Sequence, residues 1–143
     1  MSKGEAHMLT MGQFEHYWPA IVPQLEAVRE MWDIWWTREA LYDAVVGGLI
    51  NAWAIGSPTA IHLVAFTQII NYPANRNLKV VLIVGNSLEE YYDVAEATIE
   101  KFAMDNGCVY IEASGRLGWQ RKLKNVKCHG VVLTRKLGTI RVQ

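Results

Sequence analysis

The sequence predicts an α/β domain built on one mixed central sheet. Three strand-like runs follow one another with only turns between them, at 49–55, 60–70 and 78–84. The third run is apolar almost without interruption, which is typical of a strand buried on both faces. A long amphipathic helical segment then leads to a further strand at 109–113. This strand–helix–strand order favours a parallel pairing of the two flanking strands.

The whole chain has the size and composition of a single domain. Its 143 residues are 51% hydrophobic and 20% charged, and we treat 1–143 as one folded unit. No apolar run approaches the roughly 20 residues that a bilayer span needs. The first residues, 1–7, are polar and lack the apolar region of a secretory signal. These features predict an intracellular protein that is neither secreted nor membrane-bound.

Charge is distributed unevenly, although the formal net charge is zero. Residues 1–115 contain 6 Lys and Arg against 14 Asp and Glu, whereas residues 116–143 contain 8 Lys and Arg and no acid. Such a basic tail can contact phosphate, or it can face an acidic surface of the same protein or of a second subunit. Nucleic-acid binding is disfavoured, because Trp119 is the single aromatic residue within the basic stretch.

The N-terminal third is predicted to contain a short strand and two helices. Residues 6–11 read as a strand, and apolar residues then recur at helical spacing from 12 to 31. Pro19 and Pro23 fall inside that helix, and each removes a backbone hydrogen bond, so we expect a kink or two shorter helices. Thr37 is a suitable N-cap for the second helix.

The C-terminal half is predicted to begin with the crossover helix, over 87–106. After strand 109–113 we expect a short helix at 118–123 and a closing strand at 130–137. The two cysteines, Cys108 and Cys128, have no metal-ligand spacing and are interpreted as free thiols.

One block of the C-terminal half resembles a known family. Its pieces are Asn106-Gly107-Cys108, Tyr110-Ile111-Glu112 and Gly115-Arg116-Leu117-Gly118-Trp119. The block is similar to GNAT-like proteins, which have the acetyltransferase fold, of the kind encoded by tailed phages and prophages. Trp53 and Asn71-Tyr72-Pro73 fit the same pattern, so that the resemblance covers roughly residues 8–137.

The resemblance implies a fold, a cofactor and an activity. The fold is a GNAT-like mixed central sheet with three consecutive strands, a crossover helix, a parallel strand, a short helix and a final strand. The activity is acetyl-CoA-dependent N-acyl transfer. The cofactor would lie where the central strand meets the crossover helix, at Ile83, Val84, Gly85, Asn86 and Ser87. A phage protein of this kind would act in the host cytoplasm or be associated with the virion.

The cofactor loop departs from the family pattern. Active members follow the central strand with Arg/Gln-x-x-Gly-x-Gly/Ala, whose backbone N–H groups cradle the pyrophosphate of acetyl-CoA. Here the segment 84–90 has one glycine and no arginine, and Glu89 and Glu90 fall in the first helical turn. At about 5 Å a like charge costs on the order of 3 kcal/mol at an effective dielectric constant near 20. We therefore expect weak acetyl-CoA binding.

Few residues suit the chemistry of acyl transfer, which needs a general base and an acid for the departing thiolate. Glu112 is the sole carboxylate on the last two predicted strands, and it is a candidate for the base. The alternative interpretation is that Glu112 is a surface residue that faces solvent. Many active members place a tyrosine acid in the last helix, where this chain has Trp119. Ser114 and Cys128 are the available substitutes for that acid.

The remaining conspicuous side chains are interpreted as structural. Arg116 would reach a helix C-terminus or a carboxylate, and Trp119 would pack under the last helix. A group of four tryptophans is assigned to the core or to a partner interface rather than to a ligand cage. It comprises Trp32, Trp35, Trp36 and Trp53.

Two functions stay open on the sequence alone. One is an acyltransferase with an eroded cofactor loop. The other is a non-catalytic phage protein, a virion component or partner-binding module that contacts virion proteins or copies of itself through aromatic or basic surfaces. A basic-tailed nucleic-acid-binding module is a third, less favoured hypothesis. No metal site is predicted, because His16 and His62 lack ligand spacing.

Overall fold

The protein contains one five-stranded sheet with helices on both faces. A computed structural model describes residues 4–57, 60–86, 88–113, 127–130 and 132–138. The elements are β1 (Glu5–Met8), α1 (Met11–Ala27), a 3-10 turn (Arg29–Met31), α2 (Arg38–Val46), β2 (Asn51–Ser57), β3 (Ala60–Asn71), β4 (Arg76–Gly85), α3 (Leu88–Asp105) and β5 (Tyr110–Ala113). Within the described ranges no helix is long and apolar enough to cross a membrane.

The strands lie in the sheet in their sequence order. β1 to β4 pair antiparallel with their neighbours, and β4 pairs with β5 in parallel across the α3 crossover. The register joins Leu78 to Ile111 and Val80 to Ala113. The predicted parallel pair is therefore confirmed.

One face of the sheet is covered by α1 and α2. We call the side chains buried there the α1–α2 core. Phe14, Leu25 and Leu41 anchor the helices in it, with 2% or less of each side chain exposed. The sheet contributes small and branched residues, so that the two helices lie close to the strands. These residues are Ala52, Ala54, Val64, Phe66, Leu82 and Val84.

Among the described elements, α3 covers the opposite face, and we call the side chains buried there the α3 core. The helix buries four residues at a spacing of four, which keeps them on one stripe. They are Tyr91, Ala95, Ile99 and Ala103. Trp53 of β2 packs edge-on against Phe102 at 5.1 Å, and its indole N–H donates to Thr67 Oγ1 at 2.9 Å. That hydrogen bond satisfies a polar pair in an otherwise apolar layer.

Two β-bulges interrupt the central ladders. Between β2 and β3 the register passes from Ile55↔Leu63 to Gly56↔Ile61, which leaves His62 as an extra residue. Between β3 and β4 it passes from Phe66↔Leu82 to Thr67↔Val80, which leaves Val81 extra. A bulge puts consecutive side chains on one face and bends the strand, and bulges are common beside functional sites.

The expectation of two shorter helices in place of the first helix is wrong. α1 is continuous from Met11 to Ala27 with Pro19 and Pro23 inside it. The two prolines are four residues apart, and both are exposed on one side of the helix. Each lacks the N–H that would bond the carbonyl group four residues earlier, and those carbonyl groups face water instead. The first strand is also shorter than predicted, because Thr10 caps α1 in a reciprocal capping box with Gln13.

The predicted closing strand at 130–137 is not formed in the described residues. Residues 127–130 and 132–138 have neither helical nor strand structure, and their side chains are exposed. An apolar sequence such as Val132 and Leu133 becomes a strand only where a partner supplies its hydrogen bonds, and none of the described strands pairs with this segment. The predicted short helix at 118–123 lies outside the described residues.

Candidate functional site

The connection from β4 to α3 is very short. β4 ends at Gly85 and α3 begins at Leu88, which leaves Asn86 and Ser87 between them. Gly85 has φ +126°, and a Cβ there would lie 2.2 Å from the carbonyl oxygen of His62. The same oxygen accepts a hydrogen bond from the Asn86 N–H at 3.0 Å. The strand end is thus closed against β3 by backbone contacts that require glycine.

His62 is the bulged residue of β3 and lies beside this connection. Its ring stacks on Tyr91 with centroids 4.9 Å apart and an interplanar angle of 16°. Its Nδ1 lies 3.4 Å from Asn86 Oδ1. The Tyr91 ring also contacts Gly4, where a Cβ would lie 2.7 Å from a ring carbon. Three segments therefore pack against one another here: the chain before β1, the β3 bulge and the start of α3.

The N-terminal turn of α3 is acidic. Glu89 and Glu90 occupy it, and both residues are exposed. Carboxylates at this position stabilise the helix dipole, but they also lower the electrostatic potential where an anion would approach. Ser87, the predicted cap of the helix, lies outside the described residues.

The described pairing of β4 with β5 lies in the first half of β4. It runs to Val80↔Ala113, where the described part of β5 ends, and among the described residues β4 continues to Gly85 with no strand on that side. Ile111 pairs with Leu78, because β5 starts directly beside Arg76 through the Val109 N–H bond to the Arg76 carbonyl.

The predicted cofactor residues therefore offer backbone rather than side chains. Ile83 packs on the α3 core and Val84 is buried in the α1–α2 core. Gly85 and Asn86 are exposed. On the side where no described strand pairs with it, this stretch can supply backbone N–H and C=O groups to an extended ligand.

Glu112 is held by two side chains. Its Oε1 accepts a hydrogen bond from the Tyr72 hydroxyl at 2.6 Å, and its Oε2 accepts one from Asn77 Nδ2 at 3.2 Å. We call these three residues the Glu112 cluster. The hydrogen bond to Glu112 is the main cause that raises the pKa of Tyr72, followed by desolvation and the negative charge of Glu112. Glu112 is thus an oriented, half-buried carboxylate rather than a free surface residue.

A second contact explains part of the C-terminal sequence block. α3 ends at Asp105, and Gly107, whose φ of +75° needs glycine, follows it. The Arg76 guanidinium donates to the carbonyl of Asn106 at 2.8 Å. Cys108 packs against the α3 core as a small apolar residue. Sequence reasoning missed Arg76 and Tyr72, because their partners are 30 and 40 residues away in the chain.

Other predicted residues divide between core and surface. Trp32 and Trp53 are buried, and the Trp32 indole N–H donates to the Leu25 carbonyl at 2.9 Å. Trp36 packs against the α1–α2 core, whereas Trp35 is 57% exposed. Ser114, Arg116 and Trp119 lie outside the described residues. Within the described ranges no three His, Cys, Asp or Glu residues are grouped as metal ligands.

Comparison with solved structures gives several similar folds. One is an aminoglycoside acetyltransferase from an uncultured soil metagenomic sample, in complex with sisomicin, with a TM-score of 0.70 and 12% identity over 95% of this chain and 97% of that one. Another is a probable acetyltransferase, with a TM-score of 0.70 and 8% identity over 94% and 99%. A third is the ribosomal-protein-alanine N-acetyltransferase of Brucella melitensis biovar Abortus 2308, with a TM-score of 0.65 and 9% identity over 94% and 99%. No family model and no curated protein matches the sequence.

The architecture is that of the GNAT acetyltransferases. A five-stranded mixed sheet, with a single parallel pair across α3, agrees with these structures over nearly the whole chain. The GNAT-like mixed sheet with its crossover helix and parallel strand, which the C-terminal sequence block implied, is therefore confirmed.

Proposed function

We propose that the protein is an N-acyltransferase whose acyl-CoA site lacks the pyrophosphate cradle. The fold supports the acyltransferase class, since the similar structures are acetyltransferases. The β4–α3 connection is the observation that supports the missing cradle.

The composition and length of the connection support the proposal that the cradle is missing. Asn86 and Ser87 separate Gly85 from Leu88, and Gly85 is the one glycine of this segment. The Asn86 N–H, which would face a phosphate, is bonded to the His62 carbonyl instead. Glu89 and Glu90 add negative charge at the same point. A pyrophosphate would therefore meet carboxylates and few free donors.

The rest of the ligand path fits a thioester arm. The edge of β4 beyond Val80 has no described partner strand, and the bulge at Val81 turns the backbone there. An uncharged pantetheine arm could form strand-like hydrogen bonds along this edge, as extended ligands do on free strand edges.

The Glu112 cluster supplies the candidate acid–base group. Acetyl-CoA would provide an acyl group activated as a thioester. Transfer forms a C–N bond and breaks the C–S bond, and the proton that the amine loses ends on the thiolate. Glu112 lies one register step before Ala113, the last described residue of β5. Because Tyr72 and Asn77 hold its carboxylate, it is our candidate for taking that proton from the amine.

Calorimetry with acetyl-CoA, together with an acetyl-transfer assay on a panel of amines, tests this function. We expect a dissociation constant above about 1 mM, which corresponds to less than about 4 kcal/mol of affinity, and slow transfer at high acetyl-CoA concentration. Micromolar affinity would contradict the missing cradle. Absence of transfer to every amine at saturating acetyl-CoA would contradict the acyltransferase class.

A non-catalytic role in a phage particle is a second proposal. The phage origin is supported by the similarity of the C-terminal sequence block alone. Exposed apolar side chains favour a partner surface, because Ile34 and Trp35 protrude before α2 while Tyr110 and Ile111 lie exposed on β5. We expect the protein to be recovered from purified virions, where its interface with a virion protein would bury at least roughly 1,000 Å². Its absence from particles would contradict this role.

A further inference from the structure

One face of the sheet presents a carboxylate between two exposed tyrosines. Glu112 and Tyr110 are two residues apart on β5, so they point to the same side, away from the α3 core. Their register neighbours on β4 are Lys79 and Asn77. Tyr72 reaches the same carboxylate from the turn before β4. Tyr72 is 43% exposed and Tyr110 is 58% exposed.

Several acceptor positions of this group have no hydrogen-bond partner in the described part of the chain. The Tyr72 hydroxyl and the Asn77 amide both donate to Glu112, and each carboxylate oxygen keeps a further lone pair. Asn77 Oδ1 is buried and has no hydrogen-bond partner in the described part of the chain. An arrangement with a negative charge and unfilled acceptors is complementary to a cationic donor.

The tyrosine rings favour an organic cation over a hydrated metal ion. Aromatic faces attract ammonium groups through the ring quadrupole and also cover an alkyl stem. Lys79 is the nearest cation in the register, and within the described residues its ammonium forms no ion pair. It partly neutralises the site and should limit the affinity for a second cation.

We propose that Glu112, Tyr72, Tyr110 and Asn77 bind a primary alkylammonium cation. Glu112 lies about 3.3 Å of strand before Ala113. Ala113 pairs with Val80, where the proposed thioester path along β4 begins, so the bound amine would lie near that path. The role of this cation as the acyl acceptor rests on the function proposed above. The binding of the cation does not depend on that function.

Ligand-observed NMR on the full chain tests the site without acetyl-CoA. The probe is 1,5-diaminopentane, and 1,5-pentanediol is its uncharged match. We expect the diamine to bind at least about tenfold more tightly than the diol. Glu112→Gln should abolish that preference, whereas Glu100→Gln, which removes an exposed carboxylate on α3, should leave it unchanged. Tyr110→Leu should weaken diamine binding about threefold.

Lys79→Met provides a gain of binding that a misfolded variant could not mimic. Removal of the competing charge should tighten diamine binding about threefold. Equal binding of diamine and diol, or equal diamine binding by wild type and Glu112→Gln, would overturn the site. Diamine binding without any acetyl transfer would contradict the acyltransferase alone. Transfer to neutral aromatic amines with no diamine binding would contradict the cation site alone.

Discussion

The two ends of β4 differ in how the protein uses its polar groups. At the C-terminal end, the carbonyl of His62 takes up the Asn86 N–H, and Gly85 lies against the same carbonyl. At the N-terminal end, Glu112 is oriented by Tyr72 and Asn77, and acceptor positions remain unfilled. We propose that the end at which this fold would hold a cofactor phosphate does not bind one, whereas the end beside β5 binds a polar ligand.

Gly85→Ala should give the largest loss of stability. The substitution combines a φ of +126° with a Cβ only 2.2 Å from the His62 carbonyl oxygen, so the free energy of unfolding should fall by more than about 3 kcal/mol. Gly12→Ala is the matched control, because it lies in α1 with nothing within 4 Å, and it should stabilise the protein by up to about 1 kcal/mol. Urea denaturation of both variants measures the difference, and equal midpoints would show that the closed end is not rigid.

Trp53→Phe should have the next largest effect. The change removes the indole N–H that satisfies the fully buried Thr67 Oγ1, and a cost of about 2–3 kcal/mol is expected for an unsatisfied group together with lost contacts. Trp35→Phe, at an exposed tryptophan, should change stability by less than about 0.5 kcal/mol. Similar denaturant midpoints for the two variants would contradict the division of the tryptophans between core and surface.

The sequence predicted elements whose causes are local. Thr37 as an N-cap accepts the Ala40 N–H at 3.0 Å, as its residue type suggested. The apolar run 78–84 identified the central strand and its parallel partner. Register could not be predicted, because the bulges at His62 and Val81 depend on how three strands fit together. The Glu112 cluster escaped prediction for the same reason, since Tyr72 and Glu112 meet only in the folded sheet.

The double variant Glu89→Gln, Glu90→Gln addresses the acidic turn at the closed end. Removing two charges near the start of α3 should improve acetyl-CoA affinity by about tenfold or less, because water and salt screen exposed carboxylates. Binding of S-acetylpantetheine, which has no pyrophosphate, should not change. Calorimetry with both ligands measures this, and equal improvement for the two would show that the carboxylates do not act on the phosphates.

The smallest expected effect is the pH dependence of the Tyr72 hydrogen bond. The pKa of Tyr72 is raised above its ordinary value near 10, first by the hydrogen bond to Glu112. The folded protein therefore holds the phenol proton more tightly than the unfolded chain, so the stabilisation is complete below pH 10 and is lost as the pH rises through the folded pKa. The stability difference between wild type and Tyr72→Phe should stay constant to about pH 9 and shrink above pH 10. A difference that grows above pH 10 would contradict the assignment.

The ratio of the dissociation constants for S-acetylpantetheine and acetyl-CoA tests the central claim most directly. If the β4–α3 connection offers no phosphate donors while the β4 edge accepts the thioester arm, the two ligands should bind with constants within about threefold of each other. Calorimetry at matched ionic strength gives both values for the same protein preparation. A preference for acetyl-CoA of more than about a hundredfold, or about 2.7 kcal/mol, would show that a pyrophosphate site is intact and would contradict the account.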